Sequence, residues 1–344
     1  MATSMRRRKS EVTGTVTPVY ETDRGKLVNS RIEDFLKSPE GKALKGKVNL
    51  IVTSPPFPLL TQKKYGNETG KEYLNWLKSL APNLAALLSK DGSIVIEIGN
   101  AWELGEPVMS TLPLEALLAF KKTAGLHLCQ QIICHNPARL PSPAAWVTVN
   151  RWRLKDSYTH VWWMSKSPRP KADNRRVLTP YSKDMKRLLA RKSYNSGKRP
   201  SGHDISPTGF LTDHGGAIPA NVVDLVDTRL IPESLLRFSN TGWDAAYRKY
   251  CEEHKLEAHP ARMQPGLAGF FIQLLTDEGD LVMDPFAGSN TTGAVAEELK
   301  RSWLGVEAHL PYAEGAKGRF LIETREGQLP DRDGEKANDD ISGS

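Results

Sequence analysis

Short runs of apolar residues recur along the chain, and stretches with helical spacing of apolar residues separate several of them. Runs of this length, bounded by turn residues, are typical of buried strands. Because strands that alternate with helices form parallel sheets, the pattern predicts an α/β fold with a mostly parallel, doubly wound sheet. The predicted strands are Val48–Thr53, Ser93–Ile98, His127–Cys134, His160–Met164, Leu281–Asp284 and Trp303–Glu307, and the predicted helices are 73–88, 112–123, 266–275 and 291–299.

The alternating pattern stops in a basic segment, residues 166–257, which is rich in proline and glycine. Between Ser165 and Gly202 the chain has twelve lysines or arginines and two acids. A segment of this charge would attract a polyanion, although a solvated surface is the alternative. We interpret it as a lobe inserted between two halves of one α/β domain, residues 19–165 and 258–325, with polar, poorly ordered tails at 1–18 and 326–344.

Composition narrows the class of protein. The 344 residues are 39% hydrophobic and have a net charge of +7, which is typical of a folded chain with some affinity for anions. No apolar run is long enough to span a membrane, and no secretory signal follows the basic first residues, so we expect a cytoplasmic protein. We expect the three cysteines to be buried thiols, and Trp152, Trp162 and Trp163 to lie in the core.

The segment Leu281–Gly293 is an apolar strand that ends in an acid, followed by a small-residue loop and a helix. Gly288 would let the backbone approach a ligand, and Thr291 would start a helix whose free amides face it. The loop has no basic residue to meet a phosphate, which favours an adenosine with an amino-acid tail. Glu307 ends the next strand, where an acid can bind ribose hydroxyls. An ordinary structural turn is the alternative.

A second motif, Thr53-Ser54-Pro55-Pro56-Phe57, ends a buried strand at two prolines. Prolines form a rigid corner that accepts hydrogen bonds. A base amine could donate to the Ser54 hydroxyl and the Pro55 carbonyl, which would direct the nitrogen lone pair toward an electrophilic methyl group while Phe57 stacks on the ring. The alternative is a proline-terminated strand without chemistry.

Together the two motifs resemble the amino-methyltransferases of DNA. Their order along the chain is similar to that of the permuted β group of bacterial restriction–modification enzymes. Serine in the corner resembles the cytosine-N4 branch, which includes the PvuII-type enzymes. The resemblance runs from about residue 25 to residue 320, and Gly99, Asn100 and Asp156 match further positions of the family.

The resemblance implies a Rossmann-like, seven-stranded sheet, S-adenosylmethionine as methyl donor, a flipped target base and direct methyl transfer. Direct transfer agrees with the absence of a Pro-Cys pair, and no metal is expected. The implied catalytic residues are Ser54, Pro55, Pro56 and Phe57. The implied cofactor residues are Asp284, Pro285, Phe286, Ala287, Gly288, Ser289, Asn290, Thr291, Thr292, Glu307, Asn29, Ser30, His259, Pro260 and Arg262.

Double-stranded DNA is the expected partner, together with a restriction endonuclease of the same specificity. We expect a monomer or weak dimer. Adenine-N6 methylation, methylation of RNA, and a non-catalytic nucleic-acid-binding protein with a retained fold remain as alternatives. The candidate DNA-binding residues are Lys183, Lys186, Arg187, Arg191 and Lys192 for phosphates, and Arg199, Ser201 and His203 for bases.

Overall fold

A large sheet organises the part of the chain that the structure, a computed structural model, describes: residues 16–57, 69–224 and 240–320. Its strands are joined in several places by helices, as the alternating pattern predicts. The strands in chain order are β1 (Pro18–Glu21), β2 (Gly25–Asn29), β3 (Val48–Thr53), β4 (Leu88–Gly99), β5 (Ala101–Trp102), β6 (Met109–Ser110), β7 (His127–His135), β8 (Tyr158–Ser165), β9 (Gly197–Lys198), β10 (Asp204–Ile205), β11 (Val222–Asp224), β12 (Leu281–Asp284) and β13 (Ser302–Glu307).

Nine of these strands form one sheet in the order β1-β2-β13-β12-β3-β4-β8-β7-β11. The seven strands between β1 and β11 in this order form the centre of the sheet, and β1 and β11 form its two edges. The five strands that run in sheet order from β2 through β13, β12 and β3 to β4 are all parallel, whereas β8 is antiparallel to both β4 and β7. This is the mostly parallel α/β sheet that the sequence predicts.

Helices cover both faces of the sheet. They are α1 (Ile32–Phe35), α2 (Pro39–Ala43), α3 (Gly70–Leu87), α4 (Leu112–Ala124), α5 (Lys183–Arg191), α6 (Asn240–Glu253), α7 (Pro265–Leu275), α8 (Thr291–Glu298) and α9 (Leu310–Gly315). Side chains alternate between faces along a strand, so Leu50 and Val52 of β3 pack with α7 and α8, whereas Ile51 packs with α3 and α4. Burial of each such side chain contributes about 1.5–3 kcal/mol.

All six predicted strands are present, and β3 and β12 have the predicted bounds. The edge strands β1 and β11 and the neighbouring β2 were not predicted, because they are three to five residues long and carry few apolar residues. The expectation for tryptophan is wrong at one position: Trp152 is 65% exposed. Cys134 and Cys251 are buried as expected, whereas Cys129 is half-exposed.

The basic segment has more regular structure than its sequence predicts. It contains α5, the β9–β10 hairpin and the whole of α6, and β11 joins the main sheet parallel to β7. Of the predicted tails, residues 1–15 and 326–344 lie outside the described residues, and Pro18 already begins β1. No helix among the described residues has the length and apolar character needed to cross a membrane.

Candidate active site

A cavity of about 610 Å³ lies at the edge of the sheet where β3, β4, β12 and β13 end. Ser54 follows β3, Glu97 lies near the end of β4, Asp284 ends β12 and Glu307 ends β13, and all four line the cavity. The carboxyl ends of parallel strands meet at one edge of a sheet, which is where open α/β folds bind ligands. The cavity therefore brings both sequence motifs into one site.

Asp284 joins the two motifs. It is 4% exposed. The Thr53 hydroxyl donates to its Oδ1 at 2.7 Å, the Phe286 amide donates to the same oxygen at 3.0 Å, and the Thr292 hydroxyl donates to Oδ2 at 2.8 Å. Burial raises the pKa of Asp284 to about 6, although these hydrogen bonds act to lower it. The carboxyl group thus holds the end of β3 against the loop that follows β12.

The loop after β12 depends on two residues with left-handed backbone. Gly288 has a φ of 52°, and a Cβ atom there would lie 3.2 Å from the His259 ring, so glycine fits both the conformation and the space. Asn290 also has a φ of 52° and caps α8 by accepting a hydrogen bond from the Gly293 amide at 3.2 Å. Its amide donates to the Tyr20 hydroxyl at 2.9 Å. Asn290 therefore stabilises the conformation of the loop without lining the cavity.

Glu307 faces the loop from the end of β13. Its carboxylate accepts the amides of Gly288 and His309, each at 2.8 Å. Its carbonyl accepts the Asn29 side-chain amide at 2.8 Å and the Ser30 backbone amide at 2.9 Å. Burial raises the pKa of Glu307. Ser30 lines the cavity, whereas Asn29 supports Glu307 from outside it.

Two arginines share one carboxylate beside the same loop. Arg262 Nε donates to Asp244 Oδ2 at 3.1 Å, and Arg319 Nη2 donates to Asp244 Oδ1 at 3.0 Å. The Arg319 side chain is fully buried, and it also donates to the carbonyl and the hydroxyl oxygen of Ser289 at 3.0 Å each. Neither Asp244 nor Arg319 was identified from sequence, because α6 and the residues after α9 carry no motif.

His259 packs its ring against the loop at Gly288 and lines the cavity. Its ring contacts Tyr312 edge-on at 4.6 Å between centroids, and its amide donates to the Tyr247 hydroxyl at 2.9 Å. Burial lowers the pKa of His259 to about 4. The imidazole is therefore neutral at pH 7 and adds no charge to the cavity.

The proline corner lies across the cavity from this loop. Pro55 is buried, and Ser54, Pro56 and Phe57 are half-buried and line the space. The Phe57 ring packs on the backbone of β4, since a Cβ atom at Gly99 would lie 2.5 Å from it. Gly99 thus leaves room for the aromatic ring to form one wall of the site.

Glu97 is a site residue that the two motifs did not reveal. Its carboxylate accepts a hydrogen bond from the Thr159 hydroxyl at 2.9 Å. Burial raises its pKa, although the Thr159 hydroxyl, the charge of Arg139 and the nearby Ser54 hydroxyl act to lower it. The signal was present: Glu97 is an acid inside an apolar strand, and a buried acid at a cleft is a functional-site candidate.

Most of the predicted catalytic and cofactor residues line the cavity. Four do not: Asn29 and Thr292 make the supporting bonds described above, Asn290 is the cap of α8, and Pro260 is exposed. None of the eight candidate DNA-binding residues lines it. Five of those lie on α5 or at its end, and Arg199, Ser201 and His203 lie in the turn between β9 and β10, closed by a bond from the Arg199 amide to the His203 carbonyl at 2.8 Å.

Replacement of Asp284 by asparagine should change how stability depends on pH. The pKa of Asp284 is about 6 in the fold against an ordinary value of 3.8. Folding thus favours the protonated form of Asp284. The contribution of this group to the free energy of unfolding is therefore complete below about pH 4 and is lost as the pH rises through about 6. We expect the free energy of unfolding of the wild type, relative to D284N, to fall by up to about 3 kcal/mol between those limits.

Chemical denaturation at several pH values measures this difference. The exposed Asp23→Asn serves as the matched control and should show no such trend. A difference between wild type and D284N that stays constant with pH would contradict the prediction.

Comparison with known proteins supports the relationship that the motifs suggest. The family model described as DNA methylase matches residues 48–318. The Type II methyltransferase M.PvuII of Proteus hauseri is 38% identical over 306 residues, which are 88% of this chain and 86% of the relative. The Type II methyltransferase M.HpaI of Haemophilus parainfluenzae is 35% identical over 81 residues, which are 24% of this chain and 26% of that one.

A solved structure gives the same result. The PvuII DNA methyltransferase, described as cytosine-N4-specific, superposes with a TM-score of 0.66 and 31% identity and covers 91% of each chain. The resemblance inferred from the two motifs is confirmed. With the family model covering more than half of the 344 residues, the chain belongs to the N6 and N4 DNA methylase family.

Proposed function

We propose that this protein transfers a methyl group from S-adenosylmethionine to the exocyclic N4 amine of a cytosine in duplex DNA. The observation that supports this most directly is the Ser54 hydroxyl, oriented by Glu97 beside Phe57, in the same cavity as the loop after β12. Serine in the corner and the similarity to a cytosine-N4-specific enzyme favour cytosine over adenine.

The residues around the loop fit the proposed cofactor. A cavity of about 610 Å³ is of a size that takes a ligand of this kind. Trp76 and Phe286, whose ring centroids are 5.5 Å apart, line it together with Ile32 and offer an apolar wall to adenine. The Glu307 carboxylate suits ribose hydroxyls, and the free amides at the start of α8 suit a carboxylate. S-adenosylmethionine, when bound, supplies an electrophilic methyl group on a sulfonium.

The corner would prepare the amine for methyl transfer. A Ser54 hydroxyl that donates its hydrogen to the nearby Glu97 carboxylate would keep its lone pairs available to accept a hydrogen from the base amine. The Pro55 carbonyl is a second acceptor. An amine held by both has its lone pair turned out of conjugation with the ring. One proton must leave the nitrogen as it gains a methyl group, and the Ser54 hydroxyl can pass that proton to the Glu97 carboxylate.

The base must leave the duplex to reach the corner, because an exocyclic amine inside the stack is inaccessible to a buried site. The basic segment is suited to hold the duplex meanwhile. Lys183, Lys186, Arg187 and Arg191 are exposed and recur at helical spacing on one face of α5, and Lys192 follows. We assign phosphate contacts to this face and base contacts to the β9–β10 turn.

Methylation of one sequence would protect host DNA from an endonuclease that reads the same sequence. This role implies a cytoplasmic protein, and direct transfer to a single base needs only a monomer or weak dimer and no metal. It also gives the basic segment, residues 166–257, the role of target recognition, between the catalytic half (19–165) and the cofactor half (258–325).

Tritium transfer from labelled S-adenosylmethionine tests the proposal. Duplex DNA should acquire label, and Ser54→Ala and Phe57→Ala should lower the rate by about a hundredfold or more, because each removes a group that positions the amine. Leu118→Ala, at an exposed leucine of α4, should retain full activity. Digestion of the labelled DNA should yield N4-methylcytosine. Label in RNA alone would refute DNA as substrate, and N6-methyladenine alone would refute cytosine.

Glu97→Gln should separate chemistry from binding. Glutamine can still accept the Thr159 hydroxyl hydrogen but does not take up a proton, so we expect the single-turnover rate to fall about 10²- to 10⁴-fold with little change in the Kd for S-adenosylmethionine. Burial places the pKa of Glu97 above its ordinary 4.5, so the wild-type rate should fall as the pH drops through that raised pKa. An unchanged rate in E97Q would exclude the proton relay.

Arg199→Ala and His203→Ala should weaken recognition more than general affinity. If their side chains read bases, the free energy that favours methylation of the cognate site, calculated from kcat/KM, should fall by about 1–3 kcal/mol per contact. Binding to unrelated duplex should change little. Lys186→Ala, on the phosphate face, is the matched control and should weaken binding to both. Equal losses on cognate and unrelated DNA in R199A and H203A would refute the assignment.

A further inference from the structure

The connection between β7 and β8, residues 136–157, exposes an unusual amount of apolar surface. Leu154 is 90% exposed, Leu140 80%, Val149 75% and Trp152 65%. Several large apolar side chains exposed on one short segment indicate an interaction surface rather than ordinary surface scatter. The sequence predicts Trp152 in the core, so its exposure needs a separate explanation.

This connection has a defined structure. Its base is closed by a hydrogen bond from the Asn136 amide to the Ser157 carbonyl at 2.7 Å and by the ion pair between Arg139 and Asp156 at 3.1 Å. Near its middle, the Trp152 amide donates to the carbonyl of residue 146 at 2.9 Å. The exposed side chains are therefore presented on an ordered backbone.

Arg153 fixes the connection to the adjacent β5–β6 hairpin. Its guanidinium carbon lies 2.9 Å from the Trp102 ring centroid and 5.6 Å from that of Trp146. The residue before Trp152, Arg151, has a φ of 55°, a left-handed conformation that is uncommon for a non-glycine residue and persists only where the surroundings enforce it. One arginine is thus held inward on tryptophan rings, while its neighbour Trp152 remains exposed.

The position of the connection places it at the mouth of the active site. Asn136 and Arg139 at its start and Tyr158 just after its end line the cavity. A base that enters the cavity leaves a gap in the duplex directly outside that mouth. The exposed apolar residues belong to the segment that borders the gap.

Charge distinguishes DNA from another copy of this chain as the occupant. The connection has four cations, Arg139, Arg151, Arg153 and Lys155, and one acid, Asp156, which is already paired with Arg139. Its surplus of three positive charges complements a polyanion, whereas a second copy of the chain has a net charge of +7 and would repel it.

We propose that the β7–β8 connection is a second DNA-binding surface, separate from the basic segment. Trp152 and Leu154 contact the bases that lose a stacking neighbour when the target base leaves the duplex, and Arg151 and Lys155 contact the flanking phosphates. Apolar side chains stabilise opened base steps in this way in proteins that distort DNA. The inference rests on the proposed function, because it requires a flipped base.

Single-turnover methylation by the full chain tests the proposal on two short duplexes. Both carry the site identified by methylome sequencing, and in one of them the target base is mismatched and therefore already unpaired. Trp152→Ala should slow methylation of the paired duplex about tenfold or more, because it removes the contact that stabilises the opened stack. The mismatched duplex should restore most of that rate, since its base costs less to extrude.

Leu118→Ala, which also removes an exposed apolar side chain, should match the wild type on both duplexes, and W152A should retain wild-type affinity for S-adenosylmethionine. An unchanged rate in W152A, or an equal loss on both duplexes, would overturn the inference and leave the proposed function standing. Failure of the wild type to methylate either duplex would instead overturn the proposed function, and the inference with it.

Discussion

The active site depends on the hydrogen bond between Thr53 and Asp284. Backbone pairing between β3 and β12 extends over only two residue pairs, Leu50 with Val282 and Ile51 with Met283. Beyond those pairs the Asp284 carboxyl group, through Thr53 and Thr292, is what keeps the proline corner and the loop after β12 at a fixed separation. A methyl donor and its acceptor must be positioned to within a fraction of an ångström of their productive geometry. This polar contact therefore sets the geometry of the reaction.

Three of the acids that line the cavity show how the site balances stability and function. Burial raises the pKa values of Asp284, Glu97 and Glu307, which means that the fold disfavours their charged forms. Hydroxyl or amide donors fixed by the backbone offset part of that cost for each of them. In the proposed function the three acids have different tasks: Asp284 joins the two motifs, Glu97 receives a proton, and Glu307 binds the ribose.

The sequence predicted those parts of the protein in which local pattern and buried position coincide. The bounds of β3 and β12 agree with the structure because each strand is mostly apolar and is followed within one or two residues by proline. Pro260 and Asn290 show the limit, since a motif locates a loop but does not tell which of its side chains face inward. Glu97 was missed because the residues around it come from elsewhere in the chain, Thr159 from β8 and Ser54 from directly after β3. The environment of Trp152 depends on contacts that Arg153 makes with the β5–β6 hairpin, which is distant in sequence.

The order of strands in the sheet also has a consequence for biosynthesis. β12 lies between β3 and β13, yet Asp284 follows Thr53 by 231 residues along the chain. Pairing over such a separation closes a very long loop and gives the fold a high contact order, which slows folding. On the ribosome, β3 and β4 emerge well before the strand that completes their cavity. A nascent chain therefore exposes its proline corner without the wall that would hold a methyl donor, and the enzyme acquires its active centre only after β12 and β13 have been synthesised.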